Sequence, residues 1–246
     1  MIEKYTGNKY LYELHCHTRE GSRCAVTPGA EMVRAYKSLG YTGVIVTDHF
    51  FNSFHTVADL SKPWKEQIDS YCRGYNEVKS EGDKIGLDVF LGWEYNYQGD
   101  GDDFLTLGLD KEFLYSHPEI CDYTMVEYTE LIRSNGGMVI HAHPYRRARH
   151  LLDKPMNPRD KDQVDGIEVI NGKNADQRYN EEALEWAKVH NLRHFAGSDA
   201  HCTEDISSGV ILERRAENYK DLLELLKNGN VELYSRNFNV TGFENK

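Results

Sequence analysis

The sequence predicts an α/β fold built on a parallel sheet or barrel, and three observations carry that expectation. Strand-like runs alternate with helical patterns along the whole chain. Several of the strand runs are continuously apolar, as strands covered on both faces must be. The polar residues fall at the ends of those runs, where a barrel opens its site. The strands are "YLYELHCH", "GVIVTDH", "LDVFLGWEY", "DFLTLGL", "GMVIHAHP", "GIEVIN", "RHFAGSDAH" and "GVILE". The first helix, "TPGAEMVRAYKSLG", has Thr27 as its expected N-cap, Pro28 in its first turn and Gly40 as its stop. "WKEQIDSYCRGYNEVKSEG", "MVEYTELIRSNGG", "ADQRYNEEALEWAKVHN" and "AENYKDLLELLKNGN" follow the same rhythm, each ending near Gly or Asn. With no repeat, low-complexity tract or linker, residues 1–246 read as a single domain.

Composition narrows the function classes. Hydrophobic residues make up 39% and charged residues 28%, which is globular rather than disordered. The five cysteines are odd in number and form no C-x-x-C pair, so neither a disulfide framework nor a cysteine-rich zinc module is expected. A net charge of −11 disfavours extended nucleic-acid binding, although a cation-lined pocket still suits a small phosphorylated substrate. No apolar run approaches the ~20 residues that cross a bilayer. The opening "MIEKYTGNKY" lacks the apolar core of a signal peptide, so a cytoplasmic protein without a membrane partner is expected.

"ELHCHT" places His15 and His17 on one face of a strand, with Cys16 on the other. Two adjacent imidazoles make a poor core and a good start on a metal site. The pattern recurs: Asp48 and His49 end the second strand, Glu94 the third, His141 and His143 a later one, Asp199 and His201 another. Six of the eleven histidines lie in these clusters, which scattered surface histidines would not do. Such a mixture of His, Asp and Glu suits Zn²⁺, Mn²⁺ or Fe²⁺. It exceeds what one tetrahedral ion uses, so two or three divalent metal ions are expected, an arrangement suited to in-line phosphoryl displacement.

"ELHCHT", "VTDH", "GWE", "HAHP" and "GSDAH", in this order, resemble the PHP (polymerase and histidinol phosphatase) superfamily of metal-dependent phosphoesterases, over about residues 11 to 202. The resemblance implies a distorted (β/α)7 barrel, TIM-like, with a metal cluster at its C-terminal face. By motif, His15, His17, Glu94 and Asp199 would hold one metal, Glu94 and His143 a second, and His49 and His201 a third. Two family ligands are replaced. Leu105 stands where a histidine is common, and Asp103, two residues earlier, is the candidate substitute. Near the first motif, Cys24 and, less directly, Glu20 are the candidates to complete the third metal, the bland alternative for Cys24 being a structural loop thiol. His141 is either a further ligand or a partner of one. Asp48 is read as orienting a ligand or capping the next turn.

Glu168 and Asn171 sit at another strand end, where the resemblance implies a residue lining the substrate pocket, the bland alternative being that Glu168 only pairs with a neighbouring barrel residue. Arg146 is the first choice for a phosphate donor, ahead of Arg147, Arg149, Arg19 and Lys173. Trp93, Tyr95, Tyr97 and Tyr145 either stack on a base or fill the rim. His55, His117, His150, His190 and His194 are read as surface or helix-end histidines. The expected reaction is hydrolysis of a small phosphate ester, a nucleotide or the end of a short oligonucleotide by metal-bound hydroxide. Arg146 would stabilise the developing charge, and Asp199 or His201 would serve the leaving group. The rivals are a metal-dependent amidohydrolase and a non-catalytic, metal-stabilised PHP module.

Overall fold

The structure is a computed structural model that describes residues 4–51, 53–97, 102–146, 158–159, 161–241 and 243. In chain order the elements are β1 (Tyr10–Cys16), α1 (Gly29–Ser38), β2 (Gly43–Val46), α2 (Trp64–Tyr71), α3 (Arg73–Ile85), β3 (Asp88–Tyr97) and β4 (Asp102–Leu107). There follow α4 (Lys111–Ser116), α5 (Met125–Ser134), β5 (Met138–His141), β6 (Gly166–Asn171), α6 (Gln177–Val189), β7 (Arg193–Gly197), β8 (Ser208–Leu212), α7 (Tyr219–Asn228) and β9 (Glu232–Ser235).

All nine strands form one sheet in the order β7-β6-β5-β4-β3-β2-β1-β8-β9. The sheet curls into a nearly closed barrel, because the segment after β7 returns to the end of β1: Cys16 bridges Ala200, and the His17 amide donates to the Ala200 carbonyl at 2.9 Å. The expected α/β barrel is therefore present, but not as a strict alternation of parallel strands and helices. β4 runs antiparallel to both β3 and β5, and β8 runs antiparallel to β1 and β9. The cause at β4 is legible in chain length. Only four residues separate Tyr97 from Asp102, whereas a parallel crossover needs about a dozen.

Helix boundaries bring further corrections. Thr27 does not cap α1; Pro28 occupies the N-cap position, and Glu20 reaches back to accept the Gly29 amide at 2.9 Å. Glu20 thus serves the helix N-terminus, where a carboxylate is favoured. The stretch read as one helix from Trp64 splits at Cys72 into α2 and α3. α5 starts on a reciprocal capping box between Thr124 and Glu127, and α7 on Asn218, which accepts the Asp221 amide at 3.0 Å. α4 and β9 were not apparent as elements in the sequence.

Two apolar layers hold the barrel. One lies between the sheet and α1 and α3, with Met32, Val33, Tyr36, Val44, Val46 and Val78 buried together. The larger one gathers the aromatic residues of β3 and β4 against α5. Trp93 and Tyr95, taken above as rim residues, are fully buried there, while Tyr97 and Tyr145 are half-buried. Trp93 donates Nε1–H to the Tyr128 hydroxyl at 2.7 Å, which also meets Thr106 Oγ1 at 2.7 Å. Among the described residues no helix is long and apolar enough to cross a membrane.

Tyr128→Phe removes that acceptor and leaves the buried indole N–H unpaired. The variant is expected to lose about 1–3 kcal/mol of stability, read as a lower urea midpoint; an unchanged midpoint would show the pairing to be neutral.

Candidate metal centre

The first candidate pair follows from strand geometry. Glu13, His15 and His17 alternate with Leu14 and Cys16 along β1 and its exit, and all three are fully buried. The other candidate donors sit where strands stop. β5 ends at His141, and His143 follows with φ of 29°. β7 ends at Gly197, and Asp199 follows with φ of 55°. Left-handed backbone at non-glycine residues is strained and clusters at functional sites.

These turns deliver donor atoms into three overlapping groups: His15, Glu94 and His143; His15, His17 and Asp199; and His17, His49 and His201. Glu94 joins them. Its Oε1 lies 3.2 Å from His15 Nε2 and 3.1 Å from His143 Nε2, while its Oε2 lies 2.7 Å from His49 Nδ1 and 3.5 Å from His17 Nε2. Asp199 Oδ1 lies 3.2 Å from His17 Nε2 and 3.5 Å from His15 Nε2.

The imidazoles are oriented from behind, so that their free nitrogens face this space. His15 Nδ1 donates to Glu168 Oε1 at 3.0 Å, and Glu168 Oε2 accepts the His143 amide at 2.9 Å. Ser22 gives its single proton to Asp48 Oδ1 at 2.7 Å. It must therefore accept from His17 Nδ1 at 3.2 Å, which puts the His17 proton on Nδ1 and the lone pair on Nε2. Asp48 also accepts the Thr18 amide at 2.7 Å, so it ties the loop after β1 to the end of β2 and acts on His17 through Ser22. Asp48 fits that space only because Gly21 and Gly74 face it; a Cβ at either would lie within 2.5 Å of its carboxylate. His201 Nδ1 donates to the Asp199 carbonyl at 2.8 Å.

Do these residues fit divalent ions? His15 Nε2 and His17 Nε2 face each other at 3.2 Å. His49 Nδ1 and Glu94 Oε2 are buried and close, yet neither has a hydrogen-bond partner. Convergent, unsatisfied N and O lone pairs are what a cation would satisfy. Electrostatics point the same way. Burial alone would lower His15, but Asp199, Glu168 and Glu94 outweigh it and hold the imidazole well above its ordinary range. Burial likewise opposes protonation of His49, and Glu94 overrides it. Burial would raise Asp199 and Glu94, yet Arg146 and His15 hold the former, and His49 and His15 the latter, well below the carboxylate range. The pocket demands positive charge. His17, beside His201 and His49, is instead pushed down by burial and by those neighbours, and stays neutral.

Not every expected residue joins the cluster. His141 stacks on Phe104 with centroids 4.6 Å apart and accepts the Arg159 amide at 3.2 Å, outside the three groups. Asp103 pairs with Asn96 at 2.7 Å and stays 3.9 Å from His143 Nε2; burial, then Glu94, pushes its acid up to about 6. Leu105, opposite Glu94, belongs to the core. Cys24 lies against His201 and His49; burial would raise its thiol, but these two bring it down to about 7. Asn171 donates to Glu168 Oε2 at 2.8 Å and accepts from Arg146, which also pairs with Asp199. Arg19 is exposed, and Lys173 pairs with Asp205. His194, read as a surface residue, is buried with Nδ1 bonded to the Phe243 carbonyl. Arg147, Arg149 and His150 lie outside the described residues.

Two contributors were missed. Glu13 accepts amides from Leu14, His15 and Ser198 at 3.1, 3.0 and 2.9 Å, joining β1 to the residues after β7; burial still pushes its acid up to about 7. Its place two residues before His15 was the available signal. Ser22 had none, since a loop serine is common everywhere.

The PHP-associated (PHP_C) family model matches residues 177–231, well short of half the chain. No curated protein matches the sequence. Among solved structures, the fold is similar to a two-domain protein containing a predicted PHP-like metal-dependent phosphoesterase from Bacteroides vulgatus, with TM-score 0.66 and 15% identity over 95% of this chain and 68% of that one. It is similar to a lesion-specific endonuclease from Pyrococcus furiosus, with TM-score 0.58 and 13% identity over 91% of this chain and 57% of that one. It is also similar to an amidohydrolase from Chromobacterium violaceum with bound sulfate and no metal, with TM-score 0.55 and 15% identity over 79% of this chain and 89% of that one. At such identities the likeness establishes the fold.

Gly197 is the point where β7 approaches the cluster most closely. A Cβ there would lie 2.5 Å from Glu168 Oε1 and 2.6 Å from His15 Cβ. Gly197→Ala is expected to displace His15 and weaken metal binding by roughly 10–100-fold, measured by chelator competition; wild-type affinity would show that His15 is not a ligand.

Proposed function

We propose that the chain, whose fold is similar to that of a PHP-like metal-dependent phosphoesterase, is itself a metal-dependent phosphoesterase acting on a small phosphate ester, a nucleotide or the end of a short oligonucleotide. One observation carries the reading: the two oxygens of Glu94 face different histidines, His15 and His143 on one side and His49 on the other. A carboxylate so placed suits two ions a few ångströms apart, the spacing at which phosphoryl displacement is assisted. His15, His17, Glu94 and Asp199 would hold one ion, Glu94 and His143 a second, and His49 and His201 a third.

Bound divalent ions supply Lewis acidity and lower the pKa of water. The remaining work falls to the chain. Arg146 engages Asn174 through Nε and Asn171 and Asp199 through Nη2, and Nη1 would be the donor offered to a phosphoryl oxygen. Its hold on Asp199 also fixes which carboxylate oxygen faces the histidines. His201 would pass a proton to a leaving alkoxide only where no ion holds its free nitrogen, and Asp199, which burial would raise but Arg146 and His15 keep ionised, would not serve as the acid. Glu168 and Asn171 act one layer back, Glu168 orienting His15 and Asn171 holding Arg146.

The amidohydrolase neighbour keeps amide hydrolysis as the rival reading. A non-catalytic module is disfavoured because so many donor atoms still converge. Metal analysis combined with parallel phosphomonoester, phosphodiester and amide panels separates the three. The expected outcome is two or three equivalents of zinc, manganese or iron, and phosphoester turnover abolished by chelation. Glu94→Gln should lower kcat/KM by on the order of 100-fold or more and reduce the metal content. Amide turnover alone favours the rival; no turnover with full metal content favours the non-catalytic module.

A further inference from the structure

Three phenylalanines follow His49 in one short segment, and they end in different places. Phe50 and Phe51 are buried and stack on each other at 4.4 Å. Phe54 is 88% exposed, more than any other large apolar side chain among the described residues. Its own loop is fastened on the outside. The His55 amide donates to Ser53 Oγ at 3.2 Å, the His55 carbonyl accepts the Arg23 amide at 2.7 Å, and the Thr56 carbonyl accepts Arg23 Nε at 2.8 Å. The Phe54 ring meets His55 at 5.6 Å and 81°, and the His55 ring lies 5.2 Å from that of His49. Phe54 therefore stands two ring contacts from the third donor group. On the other side of that group the Val26 amide donates to the His201 carbonyl at 2.9 Å, and Val26 is 67% exposed. A single exposed apolar residue needs no explanation, but two fixed beside one opening do.

We propose that Phe54 is a stacking platform for a flat aromatic ring on the leaving group, so that the site prefers esters such as nucleotides to phosphates of aliphatic alcohols. An exposed phenyl face takes a flat ring by shape, without hydrogen-bond readout, so the identity of the base would matter little. In a nucleotide one sugar separates base from phosphate; here one ring, His55, separates the platform from His49. The inference rests on the phosphoesterase reading and narrows its substrate class.

Paired substrates test it. Wild-type protein should show a higher kcat/KM for adenosine monophosphate than for glycerol phosphate. Phe54→Ala should lower that ratio roughly tenfold, mainly through KM for the nucleotide, and Phe54→Trp should preserve it. Leu60→Ala, which removes another exposed apolar side chain, should leave the ratio unchanged. A second readout needs no turnover: 2-aminopurine nucleotide phosphonate, in which a methylene group replaces the ester oxygen and prevents hydrolysis, should lose fluorescence on binding wild-type protein but not Phe54→Ala. An unchanged ratio in Phe54→Ala, or quenching that survives in it, overturns the platform while leaving the phosphoesterase reading intact. If neither ester is turned over, that reading fails and the quench alone decides, its absence from wild-type protein overturning the platform as well.

Discussion

Buried negative charge is the constraint around which this barrel is arranged. Glu94, Glu168 and Asp199 are each 1% exposed and lie within a few side chains of one another. Carboxylates withdrawn from water in that way are stable only beside cations or donors. Every neighbour answers that need: His15 between Glu94 and Glu168, His49 against Glu94, Arg146 against Asp199. An apolar replacement at any of the three would be the easier core. Their retention makes sense for a pocket that holds positive charge.

Support for the ligands comes from different strands, which ties the site to closure of the barrel. Glu168 on β6 serves His15 on β1 and the His143 amide after β5. Glu13 on β1 collects the Ser198 amide beyond β7, across the seam where the sheet would otherwise stay open. The antiparallel β4 brings its N-terminal end, rather than its C-terminal end, to the mouth. That is why Asp103 faces His143 while Leu105, level with Glu94, packs into the core.

Much of this was legible in the residues. The run "GIEVIN" marked β6 to the residue, "GVIVTDH" overran β2 by three residues, and six histidines at strand ends marked the mouth. Alternation worked for His15 and His17 because β1 is regular there. It failed for His141 and His143 because the strand stops between them and His143 turns into left-handed backbone, sending the two rings to different surroundings. The aromatic residues of β3 misled for a similar reason: Trp93 and Tyr95 flank Glu94 and so point away from the mouth. Ser22 and the split at Cys72 depend on contacts between distant segments, for which a single sequence carries no periodic signal.

Ser22 carries one consequence further. Its lone proton is committed to Asp48, so it receives His17 Nδ1–H and the His49 amide, at 3.2 and 3.0 Å, as an acceptor. Two ligands are thereby aimed by bonds that involve no ion, inside a core already closed around them. In small zinc modules the metal is the core, and its removal unfolds the chain. Here the two bonds aim His17 and His49 from the protein side, so that on the proposed function an ion would meet imidazoles already turned towards it.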